Sequence, residues 1–153
     1  FRIGSLMASE TDITVKLVEN DRELEEAFSI RRTVFIEEQN VPEVIELDSF
    51  DKTAAHILAF DREKPVGTAR WRTTGNGIKL ERFAVLKEFR GIGIGKLLVQ
   101  FIMEHLGSDK RIYLHAQESV VAFYEKFDFQ VQGELFSEAD IPHRQMIYNS
   151  NSD

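Results

Sequence analysis

At 153 residues, with 42% apolar side chains and no cysteine, the chain is long enough for one hydrophobic core, and it excludes disulfides, a thiol nucleophile and any cysteine-based zinc site. A formal charge of −7 argues against general nucleic-acid binding, which needs a basic face, and no apolar run approaches a membrane span. The lack of cysteine is compatible with a cytoplasmic location.

Phe1 to Leu6 precede Met7 and read as an appended remnant, not a signal peptide, because no long apolar segment follows; residues 7–153 are expected to form a single domain. Ile13 to Val18 alternates apolar and polar residues and predicts a half-buried strand. Asn20 with Glu23 three residues on is a capping-box pattern, and Leu24, Ala27, Phe28 and Ile30 carry a helix to Val34 and Phe35. The chain should leave the helix before Pro42, and Glu43 to Lys52 reads as an irregular acidic loop. Ala55 to Phe60 and Pro65 to Thr73 are strands joined by a turn at Asp61 to Lys64. Thr74-Gly75-Asn76-Gly77 signals a hairpin, since Asn-Gly favours positive φ in a tight turn, so Ile78 to Leu86 completes an antiparallel meander.

The next helix places Ile94, Leu97, Leu98, Phe101, Ile102 and Leu106 on one face and stops at Gly107. Ile112 to His115 is a short buried strand, and Ser119 to Phe127 is a helix with Val120, Phe123, Tyr124 and Phe127 at 3–4 spacing. Phe129 to Gln132 and Pro142 to Tyr148 form a closing hairpin, with Glu134 to Ile141 as a long connection.

Between the third meander strand and the following helix lies Arg90-Gly91-Ile92-Gly93-Ile94-Gly95-Lys96. Three alternate glycines let main-chain N–H groups approach a ligand, and the first turn of the helix adds unpaired donors and a positive dipole end. That combination suits a phosphate or pyrophosphate. A dinucleotide fingerprint fails because Lys96 or Leu98 stands where its third glycine should be, and a P-loop fails because Leu97 follows Gly95-Lys96. What remains is R-x-x-G-x-G.

This loop and the element order resemble the GCN5-related N-acetyltransferases (the GNAT family), and Phe123-Tyr124-Glu125-Lys126-Phe127-Asp128-Phe129 is similar to that family's F-Y-E-K-x-G-F signature. Asp128 takes the usual glycine slot, where an aspartate tolerates left-handed backbone better than most residues. Gln117 stands seven residues before the tyrosine, where many relatives carry Asn. Arg32-x-Val34-Phe35-x-x-Glu38-Gln39, Glu46-x-Asp48-x-x-Asp51 with His56, Arg70 and Ile141-Pro142-His143 narrow the resemblance to the bacterial ElaA-like or YjcF-like subgroup. The resemblance covers the chain after Met7. It implies an α+β (mixed α/β) acyl-CoA N-acyltransferase fold: a mostly antiparallel sheet of six to seven strands, helices on both faces, and a splay between the strand at 80–86 and that at 111–115.

The activity implied is acetyl-CoA-dependent transfer of an acetyl group to a primary amine by direct attack on the thioester. Acetyl-CoA would be a co-substrate, with no metal. Arg90, Gly91, Ile92, Gly93, Ile94, Gly95 and Lys96 would hold its pyrophosphate, and the main chain of Phe83, Ala84 and Val85 would pair with the pantetheine arm. Tyr124 is the candidate general acid: a thiol of pKa about 8.5 needs only a phenol that steadies the charge or lends a proton. An alkyl amine of pKa about 10.4 must lose a proton first, at roughly 4–5 kcal/mol at pH 7. Glu81 resembles the carboxylate that several members use as base, though it reads equally as a salt-bridged glutamate. His115 is a second candidate base, with a structural histidine as the plainer reading, and the same holds for His143 and His56.

Arg32, Glu46, Asp48, His115 and His143 are the candidates for the acceptor side, since acceptor pockets are built from loops such as Glu37 to Lys52 and Glu134 to Ile141. The Glu46, Asp48, Asp51 and His56 group matches no metal-ligand spacing and lacks the glycine of a calcium loop, so no metal is assigned. The acceptor is expected to be a small molecule or a peptide, and both monomer and homodimer stay open. Two alternatives stay open as well. Arg32-x-Val34-Phe35 followed by Glu46-x-Asp48-x-Phe50-Asp51 also resembles acyl-homoserine-lactone synthases, and a non-catalytic CoA-binding or sensing module would need the loop without Tyr124 or Glu81.

Overall fold

The computed structural model describes residues 12–43, 47–107 and 109–149. Glu46 and the segment Phe1 to Leu6 lie outside the described residues. Strand β1 (Ile13–Leu17) leads into helix α1 (Asp21–Arg31), which runs on as a π-helical segment, Arg32–Glu38. A 3₁₀ turn (Ser49–Lys52) precedes β2 (Ala55–Asp61), β3 (Lys64–Thr74) and β4 (Gly77–Val85). Helix α2 (Ile94–Leu106), β5 (Ile112–Gln117), the short helix α3 (Val121–Glu125), β6 (Phe129–Glu138) and β7 (Ile141–Tyr148) follow. The seven strands form one sheet in the order β1-β2-β3-β4-β5-β7-β6, and β4–β5 is its parallel pair.

Side-chain alternation sends the two faces of β2 into different layers. Ile57 and Ala59 pack with Leu98, Ile102 and Tyr124 on the α2–α3 face, while Leu58 meets Ala27, Ile30 and Val34 on the α1 face. Each fully buried Leu or Ile contributes roughly 1.5–3 kcal/mol, so helices on both faces are what the sheet's apolar alternation demands. Asn20 caps α1 by accepting from the Glu23 N–H at 2.9 Å; Glu23 returns its carboxylate to the Glu19 N–H, one residue earlier than a reciprocal box would have it.

Several boundaries move from the sequence expectation. The C-terminal hairpin has no long connection: β6 continues to Glu138, and Ala139 and Asp140, both at positive φ, make the turn. An irregularity between Gln132 and Phe136, with Gly133 at φ 88°, keeps the longer ladder in register. The meander hairpin turns at Gly75–Asn76, and positive φ falls on Gly77 (129°), where an added Cβ would overlap the Arg111 carbonyl. The other meander turn is tighter than expected, with Arg62 at φ 58° between strands that run through Asp61 and Lys64. Helix α3 is shorter than expected and is preceded by a 3₁₀ turn. Asp128 does adopt the left-handed backbone expected at the glycine slot, at φ 71°.

The feature that positions the site is the parting of β4 and β5. Their pairing runs Ile78↔Ile112, Lys79↔Tyr113, Leu80↔Leu114 and stops there. On its other edge β4 stays paired with β3, but between Arg70↔Glu81 and Thr68↔Ala84 it carries one extra residue, a bulge with Arg82 at φ 61°. From Glu81 onward one edge of β4 therefore has no strand partner.

Candidate active site

The splay opens a cleft of roughly 690 Å³. It brings together Glu81, Phe83, Ala84 and Val85 of β4, Arg90, Gly91, Gly93, Ile94, Gly95 and Lys96 of the loop, and Tyr124, His115 and His143. Ile92, Arg32 and Asp48 are not among its lining residues, and Glu46 is outside the described residues.

The glycine loop is built as its sequence requires. Gly91 (φ 84°) and Gly93 (φ 96°) occupy left-handed backbone, and Gly93 is the N-cap of α2 with no side chain capping the first turn. A Cβ on Gly91 would meet nothing within 4 Å, and one on Gly95 would sit 3.2 Å from the Phe123 ring. The loop is thus a donor-rich cradle at a helix start, and it shares the cleft with the part of β4 beyond Leu80, where pairing with β5 has ended. These residues fit an extended ligand with an anionic head and an amide-bearing arm. Arg90 spans the same space: its Nε donates to the Val85 carbonyl at 2.8 Å, and a terminal nitrogen donates to Glu38 at 2.9 Å.

Tyr124 is buried on the α2–α3 face, edge-on to Phe83 (5.6 Å) and Phe123 (5.0 Å). Burial pushes its phenol well above the ordinary value, so it keeps its proton throughout the neutral range.

Glu81 sits in a dense ion network. Arg70 approaches its carboxylate at 2.7 Å, Arg72 at 2.9 Å and Lys79 at 3.1 Å. Burial would raise its pKa, but the hydrogen bond from Arg72 and the charges of Arg70 and Lys79 hold it down at about 2. Arg70 also binds Asp48 through two nitrogens (2.8 and 2.9 Å) and Asp51 (2.6 Å); Arg31 pairs with Asp51 at 2.7 Å and Arg82 with Asp48 at 3.1 Å. Both aspartates are desolvated, yet these guanidinium groups keep their pKa values below the usual carboxylate range. Asp48 also caps the 3₁₀ turn, whose Asp51 carboxylate accepts from the Asp48 N–H at 3.2 Å. Asp48, an acceptor-side candidate, thus forms with Asp51 an internal clamp joining the 47–52 segment to β3 and β4.

Arg32 turns outward and pairs with Glu25 at 3.0 Å. Its neighbour Arg31 enters the interior at 1% exposure, a role that sequence reading missed. The available signal was spacing: Arg31 shares a helix face with Ala27 and Val34. Of the other acceptor-side candidates, His115 touches Glu138 through Nδ1 and Gln145 through Nε2, each at 3.2 Å. His143 donates from Nδ1 to the Ile141 carbonyl at 2.7 Å, and Gln117 donates to Gln39 at 2.9 Å across the cleft mouth. Glu138, which the sequence did not single out, lines the cleft as an ionised carboxylate, its pKa lowered chiefly by the His115 hydrogen bond.

Comparison with known proteins gives the same picture. The family model described as an acetyltransferase (GNAT) domain matches residues 18–150. YjcF of Bacillus subtilis, named an uncharacterized N-acetyltransferase, is 39% identical over 134 residues, 86% of this chain and 96% of the relative. The crystal structure of Escherichia coli ElaA superposes with a TM-score of 0.81 at 28% identity, covering 90% of this chain and 99% of that one. An acyl-CoA N-acyltransferase from Pseudomonas aeruginosa superposes with a TM-score of 0.78 at 27% identity, covering 90% of this chain and 99% of that one. A family match across nearly the whole described fold, meeting a splayed sheet with a glycine cradle at its mouth, leaves one conclusion: the chain is an acetyltransferase belonging to the GNAT family.

Proposed function

We propose that this acetyltransferase uses acetyl-CoA and passes the acetyl group to a primary amine that attacks the thioester directly. The observation that carries the reading is the end of β4–β5 strand pairing at Leu80, which opens the sheet onto the Arg90–Lys96 cradle in one cleft. The Pseudomonas aeruginosa neighbour, named an acyl-CoA N-acyltransferase, supports the same donor class. Bound there, acetyl-CoA supplies an activated acetyl group on a thiolate leaving group.

The residues of this chain then divide the work. Loop N–H groups and Arg90 hold the pyrophosphate, and the Phe83 to Val85 backbone pairs with the arm. Tyr124 stands on the α2–α3 face with its phenol protonated. A phenol pushed this high gives up its proton reluctantly, and a thiolate whose conjugate acid has a pKa of about 8.5 does not need one outright. Tyr124 acts as a hydrogen-bond donor to the departing sulfur. Tyr124→Phe is expected to lower kcat by roughly tenfold, the worth of one such bond, with KM for acetyl-CoA nearly unchanged. Glu81, ionised and bound by three cations, is a poor proton acceptor at neutral pH; we assign it the positioning of β4 at the splay.

For Arg90 to grip a pyrophosphate it must exchange its contact with Glu38. An exposed pair of this kind contributes about 0.2–1 kcal/mol, so Glu38→Gln is expected to tighten acetyl-CoA binding by up to about fivefold. Calorimetric titration of acetyl-CoA, followed by CoA-thiol release against a panel of primary amines, tests the whole reading. Saturable binding with amine-dependent release is the expected result, and no binding to the wild type would overturn it.

A further inference from the structure

We propose that His143 is the proton acceptor for the attacking amine, an assignment that rests on the acetyltransferase reading above. The β5–β7 register sets Gln117 opposite His143 and His115 opposite Gln145, so these four side chains share one face of the sheet. The intervening Leu114 and Ala116, with Met146, point the other way, into the core that holds Tyr124. His143 and Tyr124 therefore reach the same cleft from opposite faces of the splayed sheet. An amine arriving on the α1 face meets His143, and a thiolate leaving on the α2–α3 face meets Tyr124.

The hydrogen bonding of His143 sets its tautomer. A carbonyl can only accept, so the 2.7 Å contact with Ile141 places the proton of the neutral ring on Nδ1 and the lone pair on Nε2. The ring plane is held by stacking on Phe136, centroids 5.9 Å apart, and the residue is only 7% exposed. Two other candidate bases in the cleft are less suited. Glu81 is neutralised by Arg70, Arg72 and Lys79, and His115 has both ring nitrogens against acceptor oxygens. The charged groups around His143 are Glu138 on β6, with Lys79 of β4 and His115 of β5 acting on that carboxylate, and the Arg144–Glu118 pair beside it.

The proton balance closes. The substrate ammonium gives one proton to Nε2 and becomes a neutral amine. Its nitrogen lone pair forms the C–N bond as the C–S pair leaves on sulfur. The newly acylated nitrogen releases its second proton to solvent, the thiolate takes one up from solvent, and His143 returns its own, for a net release of one proton.

His143→Asn keeps an N–H for the Ile141 carbonyl and removes Nε2. The first measurement is the imidazole ¹⁵N spectrum of the wild-type protein in weakly alkaline buffer, with His143→Asn used to assign the signal. A neutral Nδ1–H ring is expected; an imidazolium or an Nε2–H ring would overturn the proposal whatever the acceptor. The second is CoA-thiol release with two probes: butylamine, which is protonated at neutral pH, and hydroxylamine, which is not. His143→Asn should lose about 100-fold in kcat/KM with butylamine, along with the acid limb of its pH profile, and little with hydroxylamine. Equal loss with both probes, or none with butylamine, would show a structural role and overturn the assignment. Acetyl-CoA binding, titrated alongside, separates the cases: no binding by the wild type defeats the acetyltransferase reading, whereas intact binding with either adverse outcome defeats the His143 role alone.

Discussion

Gly93→Glu is expected to abolish measurable acetyl-CoA binding while leaving the protein folded. Gly93 is the N-cap of α2 at φ 96°, where a residue with a Cβ costs about 1–2 kcal/mol of backbone strain. That cost is small for a domain of this size. The larger effect is electrostatic: the new carboxylate would occupy the mouth of the cradle, beside the N–H groups meant for a pyrophosphate. Like charges juxtaposed in a binding site cost several kcal/mol, so affinity should fall by on the order of 10³-fold or more. Gly91→Ala is the control for strain alone, since Gly91 also has positive φ but an added Cβ meets nothing within 4 Å. Calorimetry on both variants, with far-ultraviolet circular dichroism to confirm folding, should show Gly91→Ala binding with modest loss and Gly93→Glu not binding. Wild-type affinity in Gly93→Glu would remove the loop from the site.

Arg70→Met should be the most destabilising of the substitutions considered. The guanidinium is 1% exposed and pairs with Glu81, Asp48 and Asp51 together. Methionine fills much of the volume but leaves those carboxylates short of charge and of hydrogen-bond donors. Removing one partner from a buried ionic network costs about 3–5 kcal/mol, which for a domain of this size lowers Tm by on the order of 10 °C. The Arg22–Glu26 pair, 3.7 Å apart with Arg22 exposed, is the contrast: Arg22→Ala should change stability by less than about 0.5 kcal/mol. The network also predicts acid behaviour. Glu81 titrates at about 2 in the folded protein and near 4.5 otherwise, so its stabilisation is complete above that upper value and is lost as pH falls toward the lower one. In Arg70→Met the Glu81 pKa should rise, moving acid unfolding to higher pH. Urea midpoints across pH 3–7 would show it; parallel curves for wild type and variant would deny Arg70 this role.

Elements whose signals are local were legible in the chain. The alternation of Ile13 to Leu17, the Asn20 cap, the glycine stop of α2 at Gly107 and the left-handed Asp128 need only near neighbours in sequence, and the structure has each of them. The Arg90–Lys96 loop was legible for the same reason, since glycine spacing and a following helix define a donor-rich cradle without help from the rest of the fold. The turn at Ala139–Asp140 was not, because Ala139 has no local preference for left-handed backbone; β6 and β7 pairing places both residues at positive φ.

The sequence by itself determined the order of its elements and the glycine cradle, because periodicity, caps and glycine positions act over a few residues, while the fold class came from the family resemblance that its motifs carry. Only the tertiary structure decided what the charged residues do. It drew Arg31 inward and left Arg32 outside, and it made Asp48, an acceptor-side candidate, and its neighbour Asp51 partners of Arg70. It also surrounded Glu81 with cations and set His143 across the splay from Tyr124. The physical reason is that a charge in a low-dielectric interior is governed by the partners within a few ångströms, and those come from strands and turns far apart in the chain.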